Sequence, residues 1–307
     1  MTAPRGPDPT GLRSAPTRGA RHAPACMHAQ SSLTPTAAPP WRAPLLVKAS
    51  VWVHAGALLC AAAFPALWPW ALAAVALNQA VLTGAGLWPR STWLDDNMTR
   101  LPAAAIARRE VAITIDDGPD PDVTPAVLDL LDAHGAKATF FCIAERASRH
   151  PQLCRRMVES GHSVQNHSQR HSHAFALLGR AGFAREIGQA QQSLARVTGQ
   201  TPQFFRAPAG LRNPLLAPVL HRLNLRLVSW TRRGFDTVRR DPARVLARLA
   251  DRLAAGDIVL LHDGNAARTR SGKPVVLEVL PGLLRRCEQA GLRAVTLPEA
   301  MRVGSVA

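Results

Sequence analysis

Lysine is almost missing from this 307-residue chain, standing only at Lys48, Lys137 and Lys273, yet 37 Lys and Arg against 21 Asp and Glu give a formal charge of +16. The excess is therefore arginine. It is spread as +4 over residues 1–44, +1 over 45–88 and +11 over 89–307, and no basic block interleaved with aromatics occurs in a sequence that is only 5% aromatic. No nucleic-acid-binding module can be recognised, so nucleic acid is not an expected partner. Cysteine is sparse too: Cys26, Cys60, Cys142, Cys154 and Cys287 are odd in number and scattered, with no C-x-x-C pair. That excludes a disulfide scaffold and a structural zinc ribbon. With 47% hydrophobic residues the chain is too apolar for wholesale disorder and long enough for one large domain with additions.

Residues 1–44 hold nine prolines and no apolar periodicity, and a disordered tail is expected because too little surface can be buried to offset the entropy of ordering. The arrangement is not that of a secretory leader. Met27 is an equally good start, on which reading the first 26 residues are an upstream artefact. From Ala49 to Trp88 there is no Asp, Glu, Lys or Arg, a run about twice the roughly 20 residues of one membrane span. It divides at Trp68-Pro69-Trp70 into Ala49–Leu67 and Trp70–Trp88, which predicts a transmembrane hairpin within residues 45–89, followed by a linker over 90–109. A hairpin buried against the soluble domain is the alternative, because Gly56, Gly84, His54 and Asn78 make the run only moderately apolar. A membrane hairpin has both flanks on one side. Arg42, Lys48, Arg90, Arg100, Arg108 and Arg109 lie there and none lies in the turn, so the positive-inside rule predicts a cytoplasmic C-terminal domain at a bacterial-type inner membrane.

Residues 110–300 alternate short apolar runs with helical patterns. Predicted strands at Val111–Ile115, Ala138–Ile143, Ser163–Asn166, Phe204–Arg206, Arg226–Val228, Ile258–Leu261 and Arg293–Thr296 are separated by helices near Pro125–His134, Pro151–Ser160, Phe183–Thr198, Pro214–Leu223, Pro242–Ala254 and Val275–Gln289. This is an α/β pattern of repeated βα units, a parallel sheet or barrel. Functional residues should collect where the strands end.

The first strand runs into Thr114-Ile115-Asp116-Asp117-Gly118-Pro119, two carboxylates before a Gly-Pro turn. Neighbours in a strand point to opposite faces, and twist at the strand end is expected to bring both carboxylates to one site; a capping Asp followed by a turn Asp is the plainer alternative. The third strand runs into Asn166-His167-Ser168-Gln169-Arg170-His171, where the spacing of four predicts both imidazoles on one face of a helical turn, suited to one divalent metal. Two His and one Asp leave coordination positions open for water and substrate, as a catalytic site requires. Arg206-Ala207-Pro208-Ala209-Gly210, Trp230 through Asp236, and Leu261-His262-Asp263 complete the strand ends.

Taken in this order, T-x-D-D-G-P, H-S-x-x-H, R-x-P-x-G and L-H-D resemble the polysaccharide deacetylases of the NodB-homology type, carbohydrate esterase family 4, over about Glu110 to Ala300. The resemblance implies a distorted (β/α) barrel over residues 110–300. It implies that Asp117, His167 and His171 bind the metal, that Asp116 is the general base held by Arg206, and that His262 is the general acid with Asp236 setting its protonation. The oxyanion would meet the metal and the backbone N–H of Ala209, and Gly210, Trp230 and Leu261 would complete the substrate wall. These roles agree with the chemistry of a metal-activated water, a carboxylate base and an imidazole acid for the leaving amine. Zinc is the first expectation for one divalent ion, and cobalt, nickel or iron suit the same donors.

Two family features are missing. The aromatic usual at Ala209 is absent, and in the fourth segment Arg233 and Thr237 replace the usual Asp and Trp, which removes part of a sugar-facing wall. Arg170, Arg212, Arg232, Arg233, Arg268 and Arg270 are expected on the active-face loops, where they would favour a phosphate-bearing substrate; an arginine-rich proteome explains them equally well. The expected activity is hydrolysis of an N-acyl group, first of all acetyl, from an amino sugar in a cell-envelope polysaccharide or a lipid-linked saccharide. An O-acetyl esterase, or a catalytically weak membrane-anchored carbohydrate-binding protein, are the alternatives. The membrane and the glycan are the implied partners, and no protein partner is implied.

Overall fold

The charge-free run folds as two helices, α1 (Leu45–Ala63) and α2 (Trp68–Leu87), joined by a 3-10 turn at Pro65–Leu67. The computed structural model describes Thr2 and residues 41–302, so the tail expected over 1–44 falls almost wholly outside the described residues. The reversal comes earlier than the sequence predicts. Pro69 sits in the first turn of α2, where its missing N–H would have had no intrahelical partner, and Lys48 lies within α1 rather than before it. Both helices are long and apolar enough to cross a membrane. Polar pairs join them: Asn78 Nδ2 donates to Ser50 Oγ at 2.8 Å, and Gln79 Nε2 meets His54 Nε2 at 3.0 Å. Trp52, Leu58, Leu59, Phe64, Trp68 and Trp70 are exposed, so the hairpin is not buried against the domain.

The segment expected as a linker is stitched to the domain instead. Pro89 O accepts from Ser229 Oγ at 2.6 Å and from Asn97 Nδ2 at 2.9 Å, and Leu101 N–H donates to Gly256 O at 2.8 Å. Met98 and Arg100 form β-bridges with Val228 and Asp257. Leu94, Leu101 and Ala105, the last on α3 (Ala103–Ala107), are buried. The end of α2 is fastened too: Arg212 N–H donates to Gly86 O at 3.2 Å, and any Cβ at Gly86 would collide with the Arg212 carbonyl.

The rest of the chain winds around a curled, all-parallel sheet. From β1 (Glu110–Asp116) it extends on one side through β2 (Ala138–Cys142), β3 (Ser163–Asn166), β4 (Phe204–Phe205) and β5 (Arg226–Leu227). On the other side lie β7 (Ile258–His262) and then β6 (Arg232–Arg233), while β8 (Arg293–Ala294) pairs with the start of β1. Between the strands run α4 (Thr124–Ala133), α5 (Ala144–Arg149), α6 (Pro151–Glu159), α7 (Arg180–Thr198), α8 (Ala217–Arg222), α9 (Pro242–Ala250) and α10 (Val275–Gln289). The short α11 (Leu297–Ala300) comes after β8. Of these, β6, α5 and α11 were not predicted, being too short to show a period.

The alternation of β1 organises the molecule. Val111, Ile113 and Ile115 pack with Leu128, Val279 and Leu283 in the core beneath the helices. Ala112 packs with Phe141, Phe204, Val228 and Ile258 inside the curl. Thr114 and Asp116 share the parity of Ala112, so the strand delivers Asp116 to the inner face at its C-terminal end.

Candidate active site

The register of β1 against β7 pairs Asp116 with His262, bringing a carboxylate and an imidazole from strands almost 150 residues apart to one strand end. The next residue does not obey the pleat. Asp117 has φ 73°, so a left-handed backbone turns its side chain to the same site, and this, rather than strand twist, brings the two carboxylates together. Gly118 is required there because any Cβ would run into the Asp263 carboxylate. Asp263 is itself buried, accepts from Thr124 Oγ1 at 2.5 Å, and is pushed up to about 7 by burial. The D-D-G motif and the L-H-D motif thus lock together.

His167 and His171 converge on Asp117, but not from a helical turn. Residues 167–171 form a loop with Ser168 at φ 67° and His171 at φ 55°, tied by Ser168 Oγ accepting from His171 N–H at 2.9 Å. The Nε2 atoms of both histidines lie 3.2 Å from Asp117 Oδ1, and the donor atoms of the three residues fall within 4.8 Å of one another. His167 Nδ1 is 2.8 Å from the Arg206 carbonyl, which makes Nδ1 the protonated nitrogen and leaves a lone pair on Nε2. Asp117 Oδ1 is buried and has no hydrogen-bond donor. A lone pair aimed at an orphaned carboxylate oxygen is repulsive unless a cation lies between them, so this donor set fits a divalent metal. Burial works against the Asp117 charge, and only positive charge at the His167 Nε2 position, a proton there or a cation in its place, holds its carboxyl below the usual carboxylate range; burial also pushes His171 down.

Asp116 is held separately. Arg206, fully buried, donates from Nη1 to Asp116 Oδ1 at 2.6 Å and to Thr114 Oγ1 at 2.8 Å, and from Nη2 to Ser229 O at 2.9 Å. Its guanidinium lies 4.2 Å from the Phe141 ring centroid. Asp116 Oδ2 is left facing His167 Nε2 at 3.8 Å. Across the site, Asp236 Oδ1 is 2.8 Å from His262 Nδ1, and Asp236 Oδ2 accepts the His262 backbone N–H at 2.8 Å. Burial alone would lower the His262 pKa, but the Asp236 carboxylate overrules it and raises it to about 9.

Asp116, Asp117, His167, His171 and His262 line one cavity of about 620 Å³ with Ala209, Gly210 and Trp230, and the buried Arg206 and Asp236 brace it from outside the lining. A polysaccharide deacetylase family model matches residues 104–228. The chain is 31% identical over 194 residues to a peptidoglycan-N-acetylglucosamine deacetylase of Bacillus cereus, covering 62% of this chain and 88% of that protein. It is 34% identical over 207 residues to a chitooligosaccharide deacetylase of Azorhizobium caulinodans, covering 64% and 97%. The chain belongs to the polysaccharide deacetylase family. Among solved structures, a family 4 carbohydrate esterase from Streptomyces lividans in complex with acetate matches with a TM-score of 0.55 at 31% identity, covering 60% of this chain and 91% of that one.

As a polysaccharide deacetylase the chain is a hydrolase, and the family uses a divalent metal, for which Asp117, His167 and His171 are the available donors. Several expected residues sit elsewhere. Leu261 does not reach the cavity: strand alternation turns it into the core, and Leu260 lines the cavity instead. Of the arginines expected on the active face, Arg170 and Arg233 line the cavity, while Arg212 is buried against Ser91 O beside the hairpin. Arg232 is spent on Asp257 and the carbonyls of Asp251 and Arg252, and Arg270 lies in a separate cleft with Arg239, Arg240 and Arg244. Arg268 is turned onto Gly272 O at 2.9 Å.

Sequence reasoning missed two braces of Asp117. Asn265 Nδ2 donates to Asp117 Oδ2 at 3.1 Å, and Arg146 Nη1 donates to Asp117 O at 2.9 Å while its Nη2 holds Asn265 Oδ1 at 2.9 Å. Asn265 had a signal, a polar turn residue directly after L-H-D-G. Arg146 had none, since it sits on the unpredicted α5.

Proposed function

We propose that this chain removes an N-acetyl group by metal-assisted hydrolysis from an amino sugar of a cell-envelope polysaccharide or lipid-linked saccharide, and that α1 and α2 anchor it in a membrane. The substrate class is supported by the relatives, whose names specify peptidoglycan N-acetylglucosamine and chitooligosaccharides. The observation that carries the reading is the orphaned Asp117 Oδ1 facing two imidazole nitrogens beside the separately held Asp116.

When bound there, a divalent cation supplies Lewis acidity that lowers the pKa of a water and polarises the acyl carbonyl; zinc is the first choice for this His2Asp set. Asp116 takes the proton of the attacking water at Oδ2, because Oδ1 is engaged by Arg206. Arg206 keeps that carboxylate fixed in orientation. As the C–N bond breaks, His262 gives its Nε2 proton to the departing amine, and Asp236 on Nδ1 keeps the ring oriented and charged. Ala209, held at φ 54° on the cavity wall, presents a backbone N–H for the developing oxyanion. The acyl group leaves as a carboxylate.

The test is metal content and acetate release measured together on the full-length protein, with N-acetylglucosamine oligomers and a polyprenyl-diphosphate-linked N-acetyl sugar as substrates. About one metal per chain is expected from a single such site. Asp116→Asn is expected to keep the metal and lose roughly 10²-fold or more in turnover, whereas His167→Ala is expected to lose the metal itself. Absence of metal, or full activity in Asp116→Asn, would overturn the reading.

A further inference from the structure

A second cavity, of about 470 Å³, opens where α2 ends, lined by Trp88, Arg90, Trp230, Arg233, Phe235 and Arg248 among others. It shares Trp230 and Arg233 with the catalytic cavity, so the two are separated by one wall of side chains. The shared wall is also where the hairpin is seated. A Cβ at Gly210 would come within 2.6 Å of Pro89 and 2.7 Å of Trp230, so the residue directly after Trp88 packs behind the catalytic loop.

The charge of this cleft is one-sided. Among the described residues, no Asp or Glu lines it. The Arg233 guanidinium lies 5.2 Å from the Trp230 ring and 4.8 Å from the Phe235 ring, and Arg248 lies 5.1 Å from the same Phe235 ring. Arg233 Nε is buried without a hydrogen-bond partner. Arg90 makes one long bond, at 3.4 Å, to Thr231 O. None of these three forms an ion pair among the described residues, whereas neighbouring Arg232 is fully engaged by Asp257 and two carbonyls. Two guanidinium groups share the Phe235 ring without a counter-charge. Aromatic stacking holds their planes and leaves their N–H edges for an oxyanion, and guanidinium geometry matches phosphate oxygens.

Resting on the deacetylase and membrane-anchor readings, we propose that this cleft binds the phosphate or diphosphate that joins the sugar to a lipid. Trp88 is 53% exposed directly after the last residue of α2, the position of an interfacial aromatic. The cleft therefore opens at the level where the hairpin leaves the apolar layer. A lipid-linked amino sugar would place its tail along the hairpin, its phosphate on Arg90, Arg233 and Arg248, and its N-acyl group across the shared wall at Asp116 and His262.

Farnesyl diphosphate and inorganic pyrophosphate are titrated calorimetrically into the full-length protein in neutral-lipid nanodiscs, with acetate release from N-acetylglucosamine oligomers read on the same samples. Farnesyl diphosphate is expected to bind at least tenfold tighter than pyrophosphate, and Arg90→Gln and Arg248→Gln are each expected to weaken it about tenfold, with Arg248→Lys recovering part of the loss. Equal binding of the two probes would show a site for free phosphate and overturn the lipid assignment. Wild-type binding in both Gln variants would overturn the cleft. Acetate release without arginine-dependent binding sinks the cleft alone; arginine-dependent binding without acetate release from any N-acetyl sugar sinks the deacetylase reading and leaves the cleft standing.

Discussion

A buried imidazole ordinarily gives up its proton more readily than one in water, so His262, in the acid role proposed for it, depends on Asp236 at neutral pH. With its pKa raised to about 9 from an ordinary 6.5, the charged ring supports the fold fully below about pH 6.5, and that support is lost as pH rises through about 9. Proton donation has the same sign, so turnover is expected to fall on the alkaline side near pH 9. Asp236→Asn removes the nearest counter-charge and leaves burial opposed only by Asp116 and Asp117, so the pKa falls. The alkaline limb of kcat is then expected to move down from about 9. A pH–rate profile checks this, and a limb that stays near 9 would mean that Asp236 does not tune the acid. Backbone strain belongs to the same scale. Asp117, Ser168, His171, Ala209, Phe235 and Asn265 all have left-handed φ without being glycine, a cost of roughly 1–3 kcal/mol each, and all six belong to the strand-end loops around the site.

Among the elements, the segment before β1 does more than connect. Leu101 is buried within the curl with Ala112, Phe141 and Val228, so it packs directly beneath the strand ends that carry Asp116 and Arg206. Leu101→Ala is expected to cost about 2–5 kcal/mol, the usual range for emptying a packed leucine site. Thermal unfolding of the variant checks this, and a change below about 1 kcal/mol would show the segment to be an ordinary surface linker. The same segment marks the limit of what a sequence pattern encodes. β1, β2 and β7 are buried along their length and legible as largely apolar runs, whereas β3, Ser163-Val164-Gln165-Asn166, is equally buried with one apolar residue. β6 is held by the ion pair of Arg232 and the aromatic stacking of Arg233, and no apolar period marks it. Residues 90–109 are recruited by long-range hydrogen bonds with Leu227, Ser229 and Gly256, which no local pattern encodes. At the site, the residues that the fold brings together, Asp116, Asp117, His167, His171 and His262, were legible as motif and spacing. Their shape was not: the left-handed residues that aim Asp117 and His171 obey no rule of period, and Leu260 replaces Leu261 at the cavity through a one-residue shift of parity.

For the whole molecule, the position of the turn bears on sidedness. The reversal runs over Phe64–Leu67, flanked by exposed Phe64, Trp68 and Trp70 and carrying no charge, while Arg42, Lys48 and Arg90 all lie at the opposite end of the hairpin. Cations gathered at one end and absent from the turn are the bias the positive-inside rule assigns to a hairpin inserted from the cytoplasm, with exposed aromatics at both ends, Trp88 beside the cations and Phe64, Trp68 and Trp70 at the turn. With +11 on residues 89–307, the catalytic domain would then rest against the negative surface of the cytoplasmic leaflet, on the face where the proposed phosphate cleft opens. A reporter fused after Ala307 is expected to be active inside the cell and silent outside. Placing three lysines in the turn while replacing Lys48 and Arg90 by glutamine is expected to reverse or scramble that result, because the bias then favours the other end. External activity of the unaltered fusion would put the catalytic domain outside, where a lipid-linked sugar could reach the cleft only after crossing the membrane.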